Sequence, residues 1–257
     1  MGGDGDLNGM TRRRFYAPRD AFARGGAEVV LSAEESRHLR DVLRLRAGDE
    51  VSVFDGEGCE FACVVKETGG RATLEVRAPA VAPSPESPVE ITLGVALLKG
   101  EKLDLVVQKA TELGVARVAA VETARADVRL RDERDAARRV ERWRRLALEA
   151  AKQSGRARVP AIEPPVALDS FLRGAGAAAP RLLFAERGGS AFDALAPSRP
   201  SAVTALVGPE GGWDDAETAS AAEHGWSIVT LGGRVLRAET AAIVVAALLQ
   251  HTYGDLR

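Results

Sequence analysis

The chain has 257 residues, 46% of them hydrophobic and 28% charged, with 35 Lys and Arg against 37 Asp and Glu for a net charge of -2. These values exclude a disordered chain and a general polycation, and no apolar run is long enough to cross a bilayer. The length suits two domains with real cores or one large α/β domain. Residues 1–11 are rich in Gly and Asp, lack the basic-then-apolar layout of a secretory signal, and read as a disordered lead, so the expected address is cytoplasmic.

Residues 12–78 read as a small barrel. The runs "RRFYA", "EVVL", "EVSVFD", "CEFACVV" and "ATLEVRA" are strand-like and separated by Gly and Asp turns. One helix interrupts them: Ser32 and Glu35 form a capping-box signature, and Leu39, Val42 and Leu43 form an apolar stripe opposite Arg37, Arg40 and Arg44. Cys59 and Cys63 sit in an extended run that separates their Cα atoms by roughly 13 Å, too far to pair, and read as buried structural thiols. Residues 79–88, "PAVAPSPESP", carry four prolines and read as a linker.

Residues 89–257 alternate strand and helix. The strands are "VEITLGVALL", "VARVAAVE", "RLLFA", "AVTALV" and "WSIVTL"; the helices are "EKLDLVVQKATEL", an arginine-rich one around "RVERWRRLALEAAKQSG" and a final apolar "ETAAIVVAALLQ". Such alternation indicates a mostly parallel sheet covered by helices, with ligands at the carboxyl ends of its strands. The final helix is apolar over nearly its whole circumference, which calls for a partner surface beyond its own sheet.

Charge is unevenly placed. Between Arg125 and Arg158 stand eleven arginines and one lysine against six acids, whereas Glu186 to Glu223 holds seven acids and two arginines. A basic face suits a polyanion such as RNA, although charge alone favours a solvated, salt-bridged helix surface over it. Three histidines, His38, His224 and His251, lie far apart, so neither a metal cluster nor a Ser-His-Asp triad is expected. No G-x-G-x-x-G follows the first α/β strand, and "LLKGEK" has its Lys before the Gly, unlike a P-loop. Two glycine turns remain, Gly208 to Gly212 and Leu231 to Thr240, where bare backbone can approach a ligand closely.

Those turns, "GPEGGW" and "LGGRVLRAETA", resemble, together with "FYAP", "HLRDVLRLRAGD", "LLKGEKLDLVVQKATELGV", "RWRRLALEAAKQSGR" and "LLFAERGG", the RsmE-type 16S ribosomal RNA uracil-N3 methyltransferases. The resemblance runs in order from Arg12 to the C-terminus. It implies an N-terminal PUA-like β-barrel and a C-terminal α/β domain of the SPOUT class with a deep trefoil knot. It further implies S-adenosylmethionine (SAM) held by Val207, Gly208, Pro209, Glu210 and Gly211 from the first turn. Leu231, Gly232, Leu236, Arg237, Glu239 and Thr240 would hold it from the second, with Ala185 and Glu186 as a third contact.

The implied partners are 16S ribosomal RNA or the small ribosomal subunit, and a second copy of the chain docked through the knot. No metal and no membrane enters. The basic RNA face would comprise Arg12, Arg13, Arg14, Arg37, Arg40, Arg44 and Arg46. For chemistry, Arg237 would stabilise a developing uracil anion and Glu239 or Glu210 would accept the N3 proton, although both carboxylates also suit the start of a helix. Methylation of another RNA base, or a non-catalytic assembly factor that binds ribosomal RNA, are the competing readings.

Overall fold

The computed structural model describes residues 13–23, 25–176, 179–192 and 199–256. The lead expected at 1–11, and Arg12 with it, lie outside the described residues. The chain divides into two compact units, one of Met1–Glu86 with Ala151–Val159, the other of Ser87–Ala150 with Pro160–Arg257.

In the first unit the strands β1 (Arg14–Tyr16), β2 (Glu28–Val30), β3 (Glu50–Phe54), β4 (Glu60–Glu67) and β5 (Thr73–Ala80) form one five-stranded curled sheet in the order β1-β3-β4-β5-β2. The β1–β3 pair is parallel and the other pairs are antiparallel. Phe15, Val29, Leu31, Leu39, Val51, Val53 and Leu74 make its core. β5 runs on to Ala80, beyond the expected start of the linker, with Pro79 opposite Phe61. β2 pairs only with residues 73–75, so Pro79 stands on an open edge where its missing N–H costs no ladder bond.

The helix α1 (Ala33–Arg37) starts where expected: the Ser32 hydroxyl accepts from the Glu35 N–H at 3.1 Å. The Glu35 carboxylate instead meets Lys152 at 2.7 Å, so the reciprocal half of a capping box is replaced by an ion pair. The next turn, His38–Val42, widens to a π-helix, which breaks the 3.6-residue period of the expected apolar stripe. Leu39 is buried and Leu43 packs on the core, but Val42 is turned outward at 65% exposure. Of the two thiols expected to be buried, one departs from expectation. Cys63 is buried, and burial pushes its pKa up to about 12, whereas Cys59 is exposed in the turn before β4.

Arg14 departs furthest. It is 4% exposed, its guanidinium lies 2.9 Å from Glu60 and donates to the carbonyls of Ala151 and Arg156, and it covers the Phe54 ring at 4.0 Å. A buried, paired guanidinium with these partners has no face left for phosphate, so Arg14 is corrected from an RNA contact to a core cross-link.

In the second unit β6 (Glu90–Ala96), β7 (Arg117–Glu122), β8 (Ala161–Ala167), β9 (Arg181–Phe184), β10 (Ser190–Ala191), β11 (Ala202–Val207) and β12 (Ser227–Thr230) form a seven-stranded sheet in the order β10-β12-β9-β11-β6-β7-β8. Every pairing in it is parallel. Its helices are α2 (Lys102–Glu112), α3 (Glu133–Ser154, whose last turn from Ala151 belongs to the first unit), α4 (Leu168–Gly174), α5 (Asp215–Glu223) and α6 (Ala238–Tyr253). β8 was not expected because it contains Pro164 and Pro165; it is tolerated at the sheet edge, at a break in register between Ala119 and Val121.

β12 lies beyond β9, not beside β11, yet α6 packs on α2, β6 and β11. The segment 231–237 therefore leads from β12 back to the side of the sheet where β11 and β6 stand. Among the described residues no helix is long and apolar enough to cross a membrane.

Candidate cofactor cavity and its rim

Three parallel strands, β9, β11 and β12, end side by side, and the turns that follow them enclose a cavity of about 320 Å³. That volume falls in the roughly 300–1,000 Å³ range of small-molecule sites. Phe184, Ala185 and Glu186 line it from β9, Val207 to Glu210 with Gly212 and Trp213 from β11, and Thr230, Leu231, Gly232 and Arg234 to Ala238 from β12. Three glycines, Gly208, Gly212 and Gly232, bring bare backbone into the walls among larger side chains such as Phe184, Trp213 and Leu236. Gly232 has a φ of +114° and open space where a Cβ would stand. Gly208 is packed against the Trp213 ring, 2.9 Å from where its Cβ would be, and the indole N–H of Trp213 donates to the Phe184 carbonyl at 2.8 Å.

The floor carries charge from α2. Lys102 lies 2.8 Å from Glu210 and 3.8 Å from Glu239, whose Oε2 has no hydrogen-bond partner among the described residues. Burial raises the Glu210 pKa, but the Lys102 ammonium, its own N–H and the N–H of Lys99 outweigh it and hold the carboxyl below its usual range. The Glu210 hydrogen bond, in turn, holds the Lys102 ammonium above its usual value. Glu210 thereby anchors the turn to α2 through Lys102.

Of the residues expected around a cofactor, Ala185, Glu186, Val207, Gly208, Pro209, Glu210, Leu231, Gly232, Leu236 and Arg237 line this cavity. Gly211, Glu239 and Thr240 do not. Gly211 faces a separate groove, where a Cβ would come 2.9 Å from the Arg125 carbonyl. Glu239 stands at the start of α6, 3.8 Å from Lys102, and Thr240 is exposed on the next position. Lys102, Trp213 and Arg234 were missed. Lys102 stands in the "LLKGEK" stretch that fails as a P-loop; its signal was a lysine opening an amphipathic helix directly after a strand.

On the first unit Arg13, Arg37, Arg44 and Arg46 are exposed. Arg40 is half-buried, bound to Asp41 at 2.9 Å and donating to the Thr68 carbonyl. Among the described residues no group of three or more His, Cys, Asp or Glu could hold a metal ion.

Residues 85–250 match the model of an RNA methyltransferase domain, and residues 31–77 that of an RNA methyltransferase PUA domain. Ribosomal RNA small subunit methyltransferase E of Synechocystis sp. is 32% identical over 93% of this chain and 77% of its own. That of Mycobacterium tuberculosis is 32% identical over 91% of this chain and 90% of its own. Among solved structures, a methyltransferase of Legionella pneumophila in complex with the bound cofactor SAM superposes with a TM-score of 0.84 at 33% identity, covering 95% of this chain and 99% of that one. Ribosomal RNA small subunit methyltransferase E of Neisseria gonorrhoeae, bound to S-adenosyl methionine, gives the same values.

Proposed function

Because the chain belongs to the RNA methyltransferase family of ribosomal RNA small subunit methyltransferase E, we propose that it moves the methyl group of SAM onto N3 of one uridine in 16S ribosomal RNA. It is a SAM-dependent ribosomal RNA methyltransferase. The observation that carries the reading is the cavity at the carboxyl ends of β9, β11 and β12, walled by turn backbone and floored by the Lys102–Glu210 pair. SAM, when bound, supplies an activated methyl group.

The residues present fit such a ligand. Gly208, Gly232 and their turns offer backbone donors and acceptors to an adenine edge and ribose, while Arg234 suits a carboxylate. Placement supplies most of the rate, since transfer to N3 needs that atom about 3 to 3.5 Å from the methyl carbon. Uridine N3 is protonated at neutral pH, and each pH unit below its pKa costs about 1.4 kcal/mol. The Arg237 guanidinium cannot take the proton, but at the cavity edge it can stabilise negative charge on O2 or O4.

Arg13, Arg37, Arg44 and Arg46 form the basic face offered to phosphates, with Arg40 partly engaged by Asp41. The working form is a cytoplasmic homodimer acting on 16S RNA or the small subunit. On α6, Ala242, Val245, Ala246 and Leu249 are buried, whereas Ile243, Val244, Ala247 and Leu248 remain half-exposed, an apolar face suited to a second copy. Calorimetric titration with SAM, followed by labelled methyl transfer to 16S RNA, tests the reading. Binding and transfer support it; a chain that binds no SAM overturns it.

A further inference from the structure

Beside the cofactor cavity runs a second, larger groove of about 730 Å³, and the two share the wall of Ala185, Glu186, Gly212 and Trp213. We propose that this groove receives the acceptor nucleotide, flipped out of its RNA, with Glu186 on the shared wall as the carboxylate that takes the N3 proton. The proposal rests on the methyltransferase reading and deepens it. An acceptor atom has to come within about 3 to 3.5 Å of the methyl carbon, so its site must open onto the cofactor cavity. A base inside a folded RNA reaches such a site only by leaving its stack.

The groove is built rather than incidental. "FAERGG" ends in two glycines with separate jobs: Gly188 takes a φ of +76°, and a Cβ on Gly189 would stand 2.6 Å from the Val229 backbone, so the turn can run flat against β12. The Gly189 N–H donates to Thr230, which locks it there. The turn so fixed carries Glu186 into both cavities and Arg187 into the groove alone. Across the groove, Arg125 is held by Asp214 at 3.1 Å, and Asp214 caps α5 through the Ala216 N–H. Arg187 is exposed and has no ion pair among the described residues, leaving its guanidinium for a phosphate next to the flipped nucleotide. The Trp213 indole borders both spaces and offers a surface for a base.

The three carboxylates near the chemistry separate on geometry. Glu210 is bound to Lys102, and Glu239 lies outside the cavity lining. Glu186 has no ion pair among the described residues, and its Oε1 comes to 4.0 Å from the Cβ position of Gly212 on the shared wall. In the step, the N3–H bond breaks with its proton passing to a Glu186 oxygen. The N3 pair forms the bond to the methyl carbon as the carbon–sulfur bond breaks, and that bond's pair stays on sulfur, which becomes neutral.

Three variants in the full chain test this: Glu186→Gln, Arg187→Ser and Ala219→Trp, the last placing bulk in the groove from the exposed side of α5. SAM affinity by calorimetry should stay within about twofold for Arg187→Ser and Ala219→Trp. Binding of a uridine-containing 16S oligonucleotide without cofactor should weaken several-fold in both. Glu186→Gln should bind that oligonucleotide as the wild type does while kcat falls about 10²-fold or more, the usual loss for a general base. Wild-type oligonucleotide binding and kcat in Ala219→Trp, or wild-type kcat in Glu186→Gln, would overturn the proposal. A wild-type chain that binds RNA through the groove but transfers no methyl would instead contradict the enzymatic function and leave the groove standing.

Discussion

The Lys102 Nζ lies 2.8 Å from the Glu210 Oε1, tying the first turn of α2 to the glycine turn that ends β11. A strand end and a helix start are thereby joined by one charge-assisted hydrogen bond at the base of the cofactor cavity. Replacing Lys102 with Met should loosen the turn and weaken SAM binding several-fold, with Lys102→Arg restoring part of the loss. Calorimetry reads the result, and an unchanged dissociation constant for Lys102→Met would remove the pair from the cofactor site.

The same pair gives a signed pH dependence. The Glu210 carboxyl is held below its usual value in the folded chain, so its contribution is fully present above the unfolded carboxylate pKa of about 4.3 and is lost as pH falls through the lower folded value. The Tm difference between wild type and Glu210→Gln should be constant from pH 5 to 8 and shrink below about pH 4. A difference that grows on acidification would reverse the assignment.

Two glycines of the turns should respond differently. Gly232→Val forces a β-branched side chain onto a φ of +114° beside the cavity, and SAM binding should be lost with secondary structure retained. Gly211→Val meets the Arg125 carbonyl instead, 2.9 Å away on the groove side, and should lower Tm and oligonucleotide binding more than SAM affinity. Circular dichroism with calorimetry separates them; equal loss of SAM binding in both would place Gly211 in the cofactor site after all.

The arginines of the first unit divide by burial. Arg14→Ala leaves Glu60 buried without its partner and should cost about 3–5 kcal/mol of stability, measured by denaturant unfolding. Neutralising Arg37, Arg44 and Arg46 together should leave stability within about 0.5 kcal/mol and flatten the salt dependence of RNA binding. A stable Arg14→Ala variant with weakened RNA binding would return Arg14 to the RNA face.

Sedimentation of the unmodified chain from nanomolar to micromolar concentration checks the covering of α6. A dimer throughout is expected; a folded monomer that binds SAM would show that Val244 and Leu248 need no partner.

Much of this arrangement was legible in the residues. "AVTALV" is β11 residue for residue, since an apolar run broken only by the β-branched Thr204 and followed by a Gly-Pro turn has few other uses in an α/β chain. The glycine turns fell where the strands end, because bare backbone is what a ligand rim requires. β8 was illegible: Pro164 and Pro165 read as a breaker until the sheet edge and the break in register are known. Arg14 was misread for a related reason. Adjacent arginines look alike in sequence, and only the fold brings Glu60, forty-six positions on, to one of them. Gly211 followed the motif's order but not its direction, since Gly211 lines the groove while its neighbours Glu210 and Gly212 line the cofactor cavity.

The most direct test of the account is the chemical identity of the product. Purified protein, SAM and unmethylated 16S RNA are incubated, and the RNA is digested to nucleosides and separated by mass spectrometry. The account predicts 3-methyluridine, one per RNA, absent when SAM is omitted. A methyl group on another base, on a ribose oxygen, or on no nucleoside at all would contradict it.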